Sequence, residues 1–241
     1  MTTLLEARRI VVLSPHLDDA VFSVGASIAR AVREGTDILV VTAFAGVPDS
    51  ANESGSWDRS VGFAHEGEAA VARRREDAVA CGILGAVPVW LPFREEQYGE
   101  EATDDAIWAA IAPHLSGADA ILVPGFPLDH ADHRRLARMT LSRVDVRTRL
   151  GLYVEQPYAT WADGPPSAGV LSQWVDEDVA WRPVQALGRD RRRKWRACLA
   201  YRSQLRRMLR DSPNLPWRVG RYERRAGGES VAWTSSRTVH R

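Results

Sequence analysis

Residues 9–23 read RIVVLSPHLDDAVFS. An aliphatic run, RIVVLS at 9–14, has the look of a buried strand and ends in Pro15, His16, Leu17 and two adjacent aspartates. Burying one carboxylate without a partner is costly, and two side by side repel each other. Something at the end of that strand must make Asp18 and Asp19 tolerable.

Strands of the same kind recur outward from this point, as DILVVTAF (37–44), VPVWLPF (87–93), DAILVPG (119–125) and LGLYVEQ (150–156). Several are nearly continuous in apolar residues, as expected of strands covered on both faces. Helical patterns lie between them, over 23–35, from about Glu66 to Leu84, over 103–115 and over 130–144. Thr103 with Asp104 and Asp105 predicts a helix start, and Gly35 a helix stop. Alternating strands and helices imply parallel pairing through right-handed crossovers. The expected fold is therefore α/β: a Rossmann-like, doubly wound, mostly parallel sheet with helices on both faces. Ligands collect outside the carboxyl ends of such strands. PHLDD follows the first strand and PLDHADH (127–133) follows DAILVPG, so two ligand-rich loops are predicted on one rim.

The remaining segments are less periodic. Residues 45–67 read as a long loop, a form often used as a functional lid, and 159–169 as a second loop rich in Pro and Gly. Residues 189–210 read as one strong arginine-rich helix. The segment 212–241 reads as an irregular arm or hairpin packed on the domain formed by 1–211.

With 241 residues, 45% apolar and 26% charged, the chain suits one soluble domain, and its net charge of +1 gives no drive towards nucleic acid or an acidic membrane. The basic cluster at 189–196 reads as a solvated helix face. Cys81 and Cys198 form no CxxC pair, so neither a disulfide framework nor a thiolate metal site is implied, and Cys81 is expected to be buried. The N-terminus has charges where a signal peptide needs an apolar core, and no apolar run approaches about 18 residues. The expectation is a cytoplasmic protein with a small-molecule partner, and neither nucleic acid nor membrane.

Positions i and i+3 in a turn or first helical turn point the same way. His16 and Asp19 have that relation, as do His130 and His133, with Asp132 between them. Two histidines and a carboxylate with open positions suit a divalent transition metal. A +2 ion would remove the penalty on Asp19. Asp18 would then sit beside the ion without binding it, placed to take a proton from a water the ion activates. One histidine of the second pair can complete the metal site. The other, oriented by a carboxylate, can donate a hydrogen bond to a developing oxyanion.

PHLDD followed by an SxG helix, with a later HADH, resembles the PIG-L/LmbE family of metal-dependent N-deacetylases, whose signatures run roughly PHPDD and HxDH. The resemblance implies a Rossmann-like fold, usually zinc, and an N-acetylated amino sugar or its conjugate as substrate. It assigns His16, Asp19 and His133 to the metal, Asp18 as general base, and His130 to the tetrahedral intermediate with Asp132 as its orienting partner. RRREDAVACGILGA (73–86) is similar to the family's Arg-x-x-Glu helix, which places Arg73 at the substrate. LYVEQPYA (152–159) and AYRSQL (200–205) extend the likeness over roughly residues 8–210.

Some positions depart from the pattern. Ala20 stands where the family often has Glu, and Gly25-Ala26 where it often has two glycines. Leu128 stands where some members carry a tyrosine that donates to the oxyanion, which leaves that task to the metal and His130 or to a donor from elsewhere. The bland reading of PHLDD is a helix N-cap with an extra acid favouring the helix dipole. The same ligand set could also be a non-haem Fe(II) oxygenase site, or a metal- or carbohydrate-binding member that has lost catalysis. Zinc and ferrous iron both suit the ligands. Trp57 could shape an acceptor pocket or simply pack in the core.

Overall fold

The computed structural model describes residues 7–48, 52–98, 102–162, 166 and 180–234. In chain order its elements are β1 (Arg9–Ser14), α1 (Asp19–Arg33), β2 (Asp37–Thr42), α2 (Ser56–Ser60), α3 (Glu66–Leu84), β3 (Val87–Trp90), α4 (Asp104–Ile111) and β4 (Ala120–Phe126). There follow α5 (Ala131–Arg143), β5 (Arg149–Val154), β6 (Trp181–Val184), α6 (Gly188–Cys198), α7 (Arg202–Asp211), α8 (Leu215–Ala226) and β7 (Glu229–Thr234). Among the described residues the strands form one sheet in the order β3-β2-β1-β4-β5-β7-β6. The first five pair in parallel, as expected, and β7 runs antiparallel to both β5 and β6.

Successive strand residues face opposite sides of the sheet. Ile10 and Val12 of β1 accordingly join a core under α1, α3 and α6, while Val11 and Leu13 join a second core under α4 and α5. That two-sided burial explains why the strands read as unbroken apolar runs. Both edge strands contain a proline, Pro88 in β3 and Pro183 in β6, which lacks the N–H a further strand would need.

Strand order reverses at β1 and β4. The chain winds from β1 outward through β2 to β3, then crosses back to lay β4 on the other side of β1. A crevice opens outside the carboxyl ends at such a switch point. PHLDD leaves β1 and PLDHADH leaves β4, so the fold brings both loops to it.

Several elements differ from the sequence expectation. Helix α1 begins at Asp19 instead of residue 23, and is kinked at Val24 (φ −128°, ψ 20°). Residues 189–210 form two helices, broken where Tyr201 turns into the core and its hydroxyl donates to Asp77 Oδ1 (2.6 Å). The apolar stripe runs on across this break, so periodicity could not reveal it. The segment after Ser212 supplies α8 and then β7, a strand inside the sheet and not an arm or hairpin. Glu229 of β7 accepts from Ala26 N (2.9 Å), Ser27 N (2.7 Å) and Ser27 Oγ (2.5 Å), groups exposed where α1 kinks. The 45–67 stretch contains α2, and most of 159–169 lies outside the described residues. Cys81 and Cys198 are both buried and free.

Candidate active site

The turn after β1 is organised by Ser14, whose Oγ donates to His16 O (2.7 Å) and accepts from Ala20 N (3.1 Å). Asp19 folds back so that Oδ2 accepts from His16 N (2.9 Å). Asp18 occupies the N-cap position of α1 yet makes no side-chain cap hydrogen bond, so capping does not account for it. Its backbone has φ 133° and ψ −33°, a conformation L-residues rarely adopt and one associated with functional sites.

Three donor atoms converge beside it. His133 Nε2 lies 3.2 Å from Asp19 Oδ2, His16 Nδ1 lies 3.4 Å from the same oxygen, and the two nitrogens are 3.3 Å apart. A tetrahedral ion with bonds of about 2.0–2.1 Å holds its ligand atoms roughly 3.3–3.4 Å apart, so this spacing fits a metal. The outer nitrogens support it. His16 Nε2 donates to Asp132 Oδ2 (2.8 Å), and His133 Nδ1 is hydrogen-bonded to Glu155 Oε2. With those protons placed on the outer nitrogens, the inner lone pairs of both rings face Asp19, the arrangement in which carboxylates orient metal-binding imidazoles. Asp132 was expected to orient His130. Its carboxylate holds His16, with Oδ2 3.8 Å from His130 Nδ1, while its backbone N–H donates to that nitrogen (3.1 Å).

Electrostatics point the same way. Burial opposes ionisation of Asp19, but His133 and His16 outweigh it and hold the carboxyl far below its ordinary range. Burial likewise opposes protonation of His133, yet Asp19 and Glu155 raise it to about 9. Asp18 is pushed well above the usual carboxylate range, first by burial and then by Asp19. Four carboxylates, of Asp18, Asp19, Asp132 and Glu155, thus crowd the strand ends with under a tenth of their surface exposed. A divalent cation held by His16, Asp19 and His133 would offset that charge.

His130 behaves differently. Its Nδ1 accepts from Asp132 N (3.1 Å), which leaves the proton on Nε2 and makes this ring a donor. Burial, then the charges of His16 and His133, hold it below the ordinary histidine value and therefore neutral. A ligand atom of His130 does lie within 4.8 Å of those of His16 and His133. Binding an ion through Nε2 would require the proton on Nδ1 and forfeit the bond from Asp132 N.

The cavity beside this cluster has a volume of about 250 Å³ and is lined by His16, Asp18, Arg73, Glu95, His130 and Tyr158, with Leu17, Trp57, Gln204 and Met208. Arg73 lines it, with its guanidinium braced by Asp58 and by Glu95 Oε1 (2.9 Å). Glu76 of the Arg-x-x-Glu pair holds the start of α7, accepting from Ser203 N (2.9 Å) and Oγ (2.6 Å). Leu128 is buried, and its N–H donates to Glu155 Oε1 (2.9 Å), so it offers no hydroxyl. The phenol in the cavity belongs to Tyr158, whose ring meets His133 edge-on at 5.1 Å. Glu155 and Tyr158 were not singled out from the sequence. The signal for Glu155 was an acid closing an apolar strand, the same signal that marks Asp18 and Asp19.

The profile of the family described as PIG-L, GlcNAc-PI de-N-acetylase, matches residues 11–144, more than half of the chain. The chain belongs to this family. Its site residues Asp18, Asp19, His130 and His133 fall inside the matched span. The fold is similar to that of A40926 pseudoaglycone deacetylase, 27% identical, with TM-score 0.77 over 94% of this chain and 96% of that one. It is similar also to the zinc-inhibited form of a teicoplanin deacetylase (21% identical, TM-score 0.80, 97% and 100% covered). N,N'-diacetylchitobiose deacetylase from Pyrococcus horikoshii shares the fold at 16% identity and TM-score 0.62, with 95% and 83% covered. Comparison with curated proteins yields no match. Among the described residues no helix is long and apolar enough to cross a membrane.

Proposed function

We propose that the protein is a zinc-dependent amidohydrolase that removes an acetyl or other acyl group from the nitrogen of an amino sugar carried on a larger aglycone. The observation that carries this reading is the set of three mutually spaced donor atoms with one buried, unligated aspartate beside them. Family membership supports amide hydrolysis, and the likeness to the A40926 pseudoaglycone deacetylase supports a sugar borne on an aglycone.

An ion held by His16, Asp19 and His133 would polarise the amide carbonyl and lower the pKa of a water towards about 7. Asp132 and Glu155 fix the two imidazoles so that their lone pairs stay aimed inward. Asp18 takes the proton of the attacking water. Its carboxyl lines the cavity beside the converging donor atoms, the position a general base needs. The same carboxyl then returns the proton to the leaving amine. His130 Nε2–H stabilises the developing oxyanion, and neutrality keeps it from repelling a cation nearby. Tyr158, which lines the cavity with its ring against His133, supplies a second donor, the hydroxyl that Leu128 lacks.

Metal analysis and acetate release from free and aglycone-linked N-acyl amino sugars, with and without chelator, test this reading. Asp18→Asn should retain metal and lose roughly 10²–10⁴ in kcat. Chelator-insensitive turnover, or near-normal turnover by Asp18→Asn, would overturn it. A reaction that consumes oxygen and releases no acetate would favour the oxygenase reading instead.

A further inference from the structure

Trp57 is held in place by contacts from a different part of the chain. Its Nε1 donates to Gln204 Oε1 (2.9 Å), and the Arg207 guanidinium stacks 5.1 Å from its ring centre. Two further arginines of α7 grip the end of α2. Arg210 donates to Ser60 O (3.0 Å) and Arg206 to Val61 O (3.3 Å), filling carbonyls that a helix terminus leaves open. On its other side Asp58, fully buried, is tied to Arg73 and Tyr98. A five-residue helix has no stability of its own. The arginines of α7 are therefore more than a solvated face: they clamp α2 and fix one indole. That indole is only half-buried and lines the cavity with Gln204 and Met208.

We infer that Trp57 determines substrate specificity: its indole face is the platform on which the pyranose ring of the substrate lies, with Gln204 and Arg207 as positioning residues. This rests on the amino-sugar reading above. The C–H face of a pyranose is apolar and complements a π-face, while Arg73, Glu95 and Gln204 offer polar groups for hydroxyls at the same cavity. A tryptophan serving only as packing would not need a hydrogen bond, a stacked cation and a clamped helix to orient a ring that stays partly exposed at the cavity.

The test compares wild type, Trp57→Ala, Trp57→Phe and Gln204→Met in the full chain. The readouts are kcat and KM on the best acyl amino sugar, inhibition by acetohydroxamate, metal content and thermal midpoint. Trp57→Ala should raise KM about tenfold with kcat within about twofold. Its metal content and its inhibition by acetohydroxamate, a probe of the metal end alone, should not change. Trp57→Phe should recover KM to within about threefold, and Gln204→Met should fall between. An unchanged KM in Trp57→Ala overturns the inference. So does a joint fall of kcat, metal content and thermal midpoint that Phe does not rescue, because that is a packing role. If Trp57→Ala does not fold, Gln204→Met decides: a KM equal to wild type sinks the idea. Wild type that releases no acetate from any amino sugar removes the functional reading and this inference with it.

Discussion

Helix α1 touches buried charge at two places, and the two are built on opposite principles. At its N-terminus Asp18 and Asp19 join Asp132, Glu155 and two histidines, with acids in excess. At its kink, Glu229 binds the freed N–H groups of Ala26 and Ser27 and pairs with Lys194 Nζ (2.8 Å), which also meets Glu223. The second cluster carries its own cation on a tether. Lys194 is the chain's only lysine, and it is 1% exposed. The first has only the two imidazoles to set against its four acids, since the nearby Arg73 is committed to Asp58 and Glu95. A cluster serving stability holds a permanent cation on its own chain, whereas a cluster serving chemistry would draw on a removable one.

This contrast can be broken by exchanging one charge in each cluster. Asp19→Asn should abolish metal binding and activity, because it removes the only negatively charged atom of the converging triad. Its effect on stability in chelator should be smaller than that of Lys194→Met, since the amide oxygen can still accept from His16 N. Lys194→Met should do the reverse. It keeps the stem but strands Glu229 without its cation, an omission that costs about 3–5 kcal/mol in buried pairs. Urea unfolding of both variants in chelator, with activity per folded molecule, separates them. Equal destabilisation by the two would show that no such division exists.

A smaller effect sharpens the account of the metal side. Glu155→Gln keeps the hydrogen-bonding shape towards His133 and Leu128 N–H but removes the charge that makes the imidazole basic. Loss of such an outer partner weakens metal affinity by about 10–100-fold. Titration with zinc against a competing chelator measures it. Asp132→Asn should act comparably through His16. An effect of Asp132→Asn on kcat alone, with metal affinity intact, would return Asp132 to the role beside His130.

The parts legible in the sequence were those set by local pattern. Unbroken apolar runs at Val11, Val40 and Leu122 follow from burial on both sheet faces, and helices between them force parallel pairing. The i,i+3 spacing of His16 with Asp19 was enough to place both on one point. What escaped depends on contacts far apart in the chain. β7 is recognisable only once β5 and β6 are there to flank it. The break before α7 depends on Tyr201 reaching Asp77, 124 positions earlier. Asp132 lies two residues from His130, but its carboxylate oxygen accepts from the ring of His16, 116 residues away. Sequence proximity reached the bond from Asp132 N–H to His130 Nδ1 but not the one its carboxylate makes.

The weakest expected effect sits on the stabilising cluster, at Gly25. In an α-helix, Ala is favoured over Gly by about 1 kcal/mol, so Gly25→Ala should help α1 on propensity alone. A Cβ at that position, however, would lie 3.0 Å from Lys194 Cγ, with Leu84 Cδ1 at 3.6 Å. Lys194 cannot yield freely, because its ammonium is fixed between Glu223 and Glu229 and its stem is buried. Crowding of this kind costs about 1–3 kcal/mol, which exceeds the propensity gain. Gly25→Ala should therefore lower stability by roughly 1 kcal/mol while leaving metal affinity unchanged. In the Lys194→Met background, where the stem is no longer anchored at its tip, the same substitution should become neutral or stabilising. A double-mutant cycle in urea reads that coupling directly. Additive effects would mean that the lysine is not the rigid neighbour that makes glycine necessary there.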